Sequence, residues 1–108
     1  MEGNGNCYES ASKIILEVNS DDILLCHGTA IGQGPIEGIE HGHAWVEING
    51  MVLDYSNGQK VIIPKDKYYD IGKIKNVVKY TRKDVIKNLC KFKTYGPWSK
   101  VWKRLNLN

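Results

Sequence analysis

Residues 43–54 have the sequence HAWVEINGMVLD, and this stretch indicates the fold more clearly than any other part of the chain. Asn49 and Gly50 at its centre are typical of a two-residue type I′ turn, which needs a positive φ at both positions. A turn of that length places Ile48 opposite Met51 and sets the register of the flanking strands. The stretch therefore predicts an antiparallel β-hairpin.

The predicted register determines which side chains share a face of the hairpin. Side chains alternate along a strand, so Val46 and Leu53 share one apolar face. Trp45 shares the other face with His43 and Asp54. In this register Trp45 lies opposite Asp54. His43 is then the diagonal neighbour of Asp54, with the two backbones about 7–8 Å apart and the two side chains able to meet. The pattern predicts a His–Asp pair.

Cys7 opens the first predicted helix. Apolar residues recur after it at helical spacing and predict a helix over about residues 7–18; they are Ala11, Ile14, Ile15 and Val18. Asn6 is a favourable N-cap, and Glu9 three residues later completes a capping-box-like pattern. Because Cys7 lies one turn before Ala11, we expect its side chain to point toward the sheet. Amides and positive potential at the start of a helix favour a thiolate there and could help to hold an oxyanion.

These residues resemble the transglutaminase-like and papain-like cysteine enzymes. The similarity rests on Gly-x-Cys-x-x-x-Ala at residues 5–11 and on His-Ala-Trp-Val-Glu followed by a strand ending in Asp54. It implies a papain/transglutaminase-like core, in which the cysteine caps a helix packed on an antiparallel sheet. It further implies a Cys-His-Asp triad: Cys7 as nucleophile, His43 as general base and Asp54 as the group that orients the base. Only six residues precede Cys7, and none is a glutamine that could serve a papain-like oxyanion hole.

Four other residues are predicted to contact a substrate, because they flank the cysteine and the histidine in the chain: Asn6, Tyr8, His41 and Trp45. Trp45 is expected to shield the imidazole or to form a wall of the cleft, the alternative being plain packing. The His41-x-His43 pair with nearby Cys26-His27 leaves a metal site as an alternative. Zinc needs three or four converging ligands, and the cysteines lack Cys-x-x-Cys spacing, so we expect neither a metal nor a cofactor.

The predicted fold class is α+β, an N-terminal helix on a small antiparallel sheet with one or two further helices. Strands are expected near residues 23–28, 61–63 and 74–80, and a helix capped by Thr81 near residues 82–93, with Val85, Leu89 and Phe92 facing inward. Less regular features are a mobile glycine-rich loop at 29–41, a turn or one helical turn at 65–71, and a short helix at 98–105. Cys26 and Cys90 are predicted to be small buried hydrophobes.

The composition is that of one globular domain over residues 1–108, with an aromatic and basic segment at 94–108. The chain is 42% hydrophobic and 25% charged, and it shows no signal-peptide pattern and no stretch of membrane-spanning length. Three irregularly spaced cysteines favour a reducing compartment, so we expect a cytoplasmic protein that does not contact membranes.

Charge is divided unevenly along the chain. Residues 1–56 contain one basic and nine acidic side chains, whereas residues 57–108 contain fourteen basic and three acidic ones. Either the two halves attract each other, or the basic half attracts an acidic surface or nucleic acid, although no nucleic-acid motif is present. No pattern indicates an oligomeric state.

The predicted function is that of a cysteine hydrolase or acyl transferase acting on an amide or related bond of a protein or peptide substrate. A thioester on Cys7 would pass to water or to an amine, and the motif does not separate the two. The alternative is a non-enzymatic intracellular interaction or inhibitor protein, of phage or mobile-element origin, that retains the fold. Small size, divided charge, and Trp98 and Trp102 in the C-terminal segment motivate this alternative.

Overall fold

In the part of the chain that the structure describes, one five-stranded antiparallel sheet is flanked by three helices. A computed structural model describes residues 7–18, 20–31, 40–55 and 60–98. The elements in chain order are α1 (Cys7–Glu17), β1 (Leu24–Ile31), β2 (Glu40–Ile48), β3 (Met51–Asp54), β4 (Val61–Pro64), α2 (Lys65–Gly72), β5 (Lys75–Tyr80) and α3 (Arg82–Phe92). The strand order is β4-β3-β2-β1-β5, and every neighbouring pair is antiparallel. The predicted α+β class, with an N-terminal helix and an antiparallel sheet, is confirmed.

The turn between β2 and β3 has the predicted conformation. Asn49 and Gly50 both have a positive φ, of 53° and 77°. Ile48 is paired with Met51, and the ladder continues to the pair of Val46 and Leu53, as the sequence predicted.

The β2–β3 ladder ends at that pair. Trp45 and Asp54, expected opposite each other, are the next residues of the two strands. Each pairs on its outer edge, Trp45 with Cys26 of β1 and Asp54 with Val61 of β4. The His–Asp pair lies next to this end of the ladder.

The sheet separates two apolar clusters. Helices α1 and α3 cover one face, where Ile15 and Val85 are buried with Leu25 and Val46. Helix α2 covers the other face, where its tyrosines pack around Trp45 together with Cys26 and Val52. Cys7 is 6% exposed and belongs to the first cluster, so the expectation that its side chain points toward the sheet is confirmed. None of the helices within the described ranges has the length and apolar character needed to cross a bilayer.

Helix α3 begins as its sequence indicated. Thr81 accepts a hydrogen bond from the amide of Asp84 at 3.1 Å, and the carboxylate of Asp84 accepts one from the amide of Thr81 at 3.1 Å. Val85 is fully buried and Leu89 is partly buried. Phe92, expected to face inward, is 40% exposed, because it lies at the last turn of the helix where the sheet no longer covers it.

Several other expectations need correction. The ends of the segment 29–41, predicted as loop, belong to strands, since β1 extends to Ile31 and β2 begins at Glu40. The segment 65–71 is a helix of eight residues rather than a single turn. Cys90 is exposed, because it lies on the outer face of α3, whereas Cys26 is buried as predicted. Asn6, the remaining loop residues 32–39 and the predicted helix beyond Trp98 lie outside the described residues.

Gly28 lets the indole of Trp45 lie against the sheet. It pairs with His43, and a Cβ atom placed on it would come within 2.6 Å of Cη2 of Trp45 and 3.2 Å of the carbonyl oxygen of Lys75. A side chain here would therefore displace the ring that packs behind the histidine.

His27 lies on the α1 side of the sheet. It is fully buried, and in the described part of the chain neither ring nitrogen has a hydrogen-bond partner. An unpartnered buried polar group costs roughly 1–3 kcal/mol. Ring contacts with Tyr8, Tyr80 and Trp98, at centroid distances of 4.9, 5.1 and 5.1 Å, offset part of that cost, since each such pair contributes about 0.5–1.5 kcal/mol.

We predict that Gly28→Ala destabilises the protein by roughly 1–3 kcal/mol, because the new methyl group overpacks the Trp45 site. Urea unfolding followed by circular dichroism measures the change. Gly72→Ala is the matched control, since its Cβ would meet only the terminal methyl group of Ile74, at 3.1 Å, and α2 gains a better helix former. Equal stability of the two variants would contradict the role given to Gly28.

We also predict that His27 makes the fold sensitive to acid. Burial lowers the pKa of His27 to about 3, so the unfolded chain binds a proton between pH 6.5 and about 3 that the folded chain does not. The free energy of unfolding should therefore fall with decreasing pH in this window, by up to about 1.4 kcal/mol per pH unit more than in His27→Leu. Ser12→Ala removes an unpartnered buried hydroxyl that does not titrate, and should change stability equally at every pH.

Candidate active site

The site is centred on a hydrogen bond between His43 and Asp54. Nε2 of His43 lies 2.8 Å from Oδ2 of Asp54, and the two side chains are 15% and 10% exposed. The two residues come from β2 and β3, just beyond the last pair of the β2–β3 ladder, and the predicted diagonal contact between them forms. A carboxylate only accepts hydrogen bonds, and Nε2 is therefore the protonated nitrogen.

Cys7 completes the arrangement from the start of α1. Its thiol lies close enough to the imidazole of His43 to raise the pKa of that ring. Because Nε2 is bonded to Asp54, Nδ1 is the nitrogen left to exchange a proton with the thiol. The three residues predicted as a triad are thus brought together in the order thiol, imidazole, carboxylate.

Opposing effects act on the charge of His43, and the partners prevail. Burial lowers the pKa of His43, but hydrogen bonds and charges from Asp54 and Cys7 outweigh burial and raise it to about 10. The imidazole therefore carries a proton at neutral pH. A protonated imidazole beside a thiol favours the thiolate, which is the nucleophilic form of cysteine.

Trp45 supports the imidazole from behind. Its ring stacks on His43 with a centroid distance of 6.2 Å and an interplanar angle of 26°, and the residue is fully buried. Nε1 of Trp45 donates a hydrogen bond of 3.0 Å to Oε2 of Glu47, and the hydroxyl of Tyr69 donates to the same oxygen. Nζ of Lys79 lies 3.1 Å from the other carboxylate oxygen. The indole is thereby held at both its ring face and its N–H.

Glu47 remains charged within this network. Burial raises the pKa of Glu47, but hydrogen bonds from Tyr69, Trp45 and Lys79 outweigh burial and hold the pKa below its usual value. The pair of Lys79 and Glu47 also joins the basic half of the chain to the acidic half.

The residues predicted to bind substrate are distributed around the site. The ring of His41 lies 5.9 Å from that of His43, on the same strand. Tyr8 follows the cysteine, and its ring contacts His27. Trp45 lies behind the imidazole with no exposed surface. Asn6 is outside the described residues, and for all four the binding of substrate stays a prediction.

The described residues do not support the alternative of a metal site. No group of three or more His, Cys, Asp or Glu side chains among them converges in a way that could hold an ion. His27 lies in the cluster under α1, where its neighbours are aromatic rings.

Sequence reasoning missed two tyrosines that hold the site from α2. The hydroxyl of Tyr68 donates a hydrogen bond of 2.7 Å to Oδ2 of Asp54, and Tyr69 donates to Glu47. Neighbouring tyrosines in a charged segment carry no motif. The available signal was Pro64 followed by Asp66, a combination typical of the start of a helix.

Comparison of the chain with protein-family models, with curated proteins and with solved structures finds no match. The resemblance to transglutaminase-like and papain-like enzymes therefore stays a prediction that rests on the residues of this chain.

We predict that His43 holds its proton far above the usual pH range. The Cε1–H resonance of His43, followed by NMR from pH 6 to 11, should titrate near pH 10, because Asp54 and Cys7 stabilise the imidazolium. Asp54→Asn should lower this midpoint, whereas Glu47→Gln, a matched change in the neighbouring network, should leave it nearly unchanged. A His43 midpoint near 6.5 in the unaltered protein would contradict the electrostatic description of the site.

The same proton links the site to stability. Above pH 6.5 the unfolded chain releases the proton that folded His43 retains, so the stabilisation from the pair of His43 and Asp54 is complete below pH 6.5 and is lost as the pH rises through about 10. Urea unfolding of the protein and of Asp54→Asn across this range gives an independent measurement.

Proposed function

We propose that the protein is a cysteine hydrolase or acyl transferase that acts on an amide or related bond. The observation that carries the proposal is the contact of one imidazole with both a thiol and a buried carboxylate. Nε2 of His43 lies 2.8 Å from Oδ2 of Asp54, and Cys7 lies near enough to raise the pKa of the same imidazole. Nucleophile, base and orienting group are the parts that covalent thiol catalysis requires.

In the acylation step the sulfur of Cys7 attacks the carbonyl carbon of the substrate. The thiol proton resides on Nδ1 of His43, where Asp54 stabilises the resulting imidazolium. When the tetrahedral intermediate collapses, the bond from carbon to the leaving nitrogen breaks and that nitrogen takes the proton from His43. The products of this step are a thioester on Cys7, a free amine and a neutral imidazole.

In the deacylation step neutral His43 acts as general base. It takes a proton from water or from an acceptor amine as that nucleophile attacks the thioester carbonyl, and the bond from carbon to sulfur then breaks. The thiolate and the imidazolium are regenerated, and the acyl group leaves as an acid or as a new amide. General acid–base assistance of this kind contributes about 10²–10⁴-fold to rate.

The finer assignment to a papain/transglutaminase-like core is part of this proposal. It is supported by a nucleophile at the first residue of α1 and by His43 and Asp54 on adjacent strands β2 and β3. It is further supported by an apolar cluster that packs α1 against β2. A protein or peptide substrate follows from the resemblance.

The rival proposal of a non-enzymatic binding protein rested partly on Trp98. Trp98 is 7% exposed, and its Nε1 donates a hydrogen bond of 2.8 Å to the carbonyl oxygen of Thr94. The ring is therefore a core contact of the described domain, and Trp102 lies outside the described residues. No observation favours this rival over the enzyme.

We predict that the protein forms a covalent acetyl adduct on Cys7 when mixed with p-nitrophenyl acetate. Release of nitrophenol should show a burst, and peptide mass spectrometry should locate the acetyl group. His43→Ala should slow acylation by about 10²–10⁴-fold, since the imidazole that holds the thiol proton and returns it to the leaving group is lost. Adding a primary amine during turnover separates transfer, which yields the acetylated amine, from hydrolysis, which yields acetate.

Two cysteine variants provide the controls. Cys7→Ala should fold normally and lose the burst. Cys90→Ala removes an exposed thiol away from the site and should retain it. A burst that survives in Cys7→Ala, or that depends on Cys90, would reject the proposed nucleophile.

A further inference from the structure

Asp54 accepts two hydrogen bonds on a single oxygen atom. Nε2 of His43 lies 2.8 Å from its Oδ2, and the hydroxyl of Tyr68 lies 2.7 Å from the same atom. Asp54 is 8% exposed, so its charge depends on these donors more than on solvent. The thiol mechanism assigns a role to His43 but none to Tyr68.

Tyr68 acts as a permanent donor in this contact. Burial, followed by the charge of Asp54, raises the pKa of Tyr68 above its ordinary value, so the phenol keeps its proton throughout the neutral range. Its ring also packs against Trp45 at a centroid distance of 5.4 Å, which limits the positions that the hydroxyl can take.

The chain path holds Tyr68 above the carboxylate. Strand β4 pairs with β3 through Asp54 and Val61, and α2 begins directly after β4. The amide of Lys65 at the start of α2 donates a hydrogen bond of 2.9 Å to the carbonyl oxygen of Gly50 in the hairpin turn. The helix that carries Tyr68 is therefore tied to the hairpin that carries both His43 and Asp54.

We propose that Tyr68 is a positioning residue of this site, which fixes the carboxylate of Asp54 toward His43 and keeps it ionised at acidic pH. The inference rests on the proposed function for its catalytic consequence. Its physical reason is that a hydrogen bond to the charged form of a buried carboxylate favours that form. Without Tyr68, Asp54 takes up a proton at a higher pH and no longer holds the imidazole.

Titratable groups of the neighbouring elements contribute to the charge of this site. They are Cys7 of α1, His41 and His43 of β2, and Tyr68 of α2. Cys26 of β1 contributes no charge, because burial, followed by the charge of Glu47, raises the pKa of Cys26 and keeps that thiol protonated and unreactive.

The test is the pH dependence of Cys7 alkylation by iodoacetamide between pH 4.5 and 9, with each cysteine resolved by mass spectrometry. Tyr68→Phe should move the acid limb of the Cys7 profile upward by about one pH unit, which corresponds to about tenfold slower labelling on that limb and little change at pH 8. A residue of merely structural importance would slow labelling at every pH.

Tyr69→Phe is the matched control. It removes a hydroxyl from the next residue of the same helix, but that hydroxyl is bonded to Glu47 rather than to Asp54. Because Tyr69 supports Trp45 through Glu47, the overall rate of labelling is free to change in this variant, but the pH midpoint of the Cys7 acid limb should coincide with that of the unaltered protein. Labelling of exposed Cys90 should be the same in all variants.

If Tyr68→Phe does not fold, a ring-fluorinated tyrosine at position 68 provides a second variant for the same test. Fluorine makes the phenol a stronger donor without changing its shape appreciably, so the acid limb should move to lower pH. An unmoved limb in the fluorinated protein would overturn the proposal, as would equal shifts in Tyr68→Phe and Tyr69→Phe.

His43→Ala separates this inference from the function on which it rests. If His43→Ala does not alter the Cys7 profile, the proposed triad fails, and Tyr68 has no site to position. If His43→Ala alters the profile and Tyr68→Phe does not, the triad stands and the role of Tyr68 is rejected.

Discussion

The two-residue turn at Asn49 and Gly50 is the constraint on which the site depends. Both residues adopt a positive φ, so the register of the hairpin is set within two residues of backbone. A slip of one residue would send every side chain of β2 to the opposite face. His43 would then face away from Asp54, and the glutamate that anchors Trp45 would be buried under α1. A local conformational preference thus decides the placement of charges far from the turn.

His27 and His43 show how partners, rather than burial, determine charge. They lie on neighbouring strands, and burial disfavours the charged form of both. Among the described residues His27 contacts aromatic rings and no hydrogen-bond partner, and it remains neutral. His43 lies beside a carboxylate and a thiol and remains protonated. The desolvation penalty is therefore exceeded at His43 and not at His27.

Much of the framework was predictable because it depends on short-range patterns. The hairpin follows from Asn49-Gly50, the extent of α1 from its apolar spacing, and the start of α3 from Thr81 and Asp84. The pairing of His43 with Asp54 was predictable for the same reason, since a two-residue turn leaves no freedom of register. The approach of Cys7 was expected from its place on the apolar face of a helix and from resemblance.

The remaining parts depend on contacts between distant segments. The β2–β3 ladder ends at Leu53, and Asp54 pairs with Val61 of β4, a long-range pairing that no local pattern predicts. Tyr68 and Tyr69 reach the site because α2 folds back over the sheet. The charged segment around them has the sequence pattern of an ordinary surface segment. The exposure of Cys90 likewise depends on which face of α3 the sheet covers.

The order of the site residues along the chain has a consequence for biosynthesis. Cys7 emerges from the ribosome early, whereas the histidine, the carboxylate and the tyrosine that surround it follow at positions 43, 54 and 68. A nascent chain that ends before β2 therefore displays an ordinary thiol without a base beside it. In the proposed enzyme, the thiol, the base and the orienting carboxylate are therefore together only after the first three strands of the sheet have been synthesised.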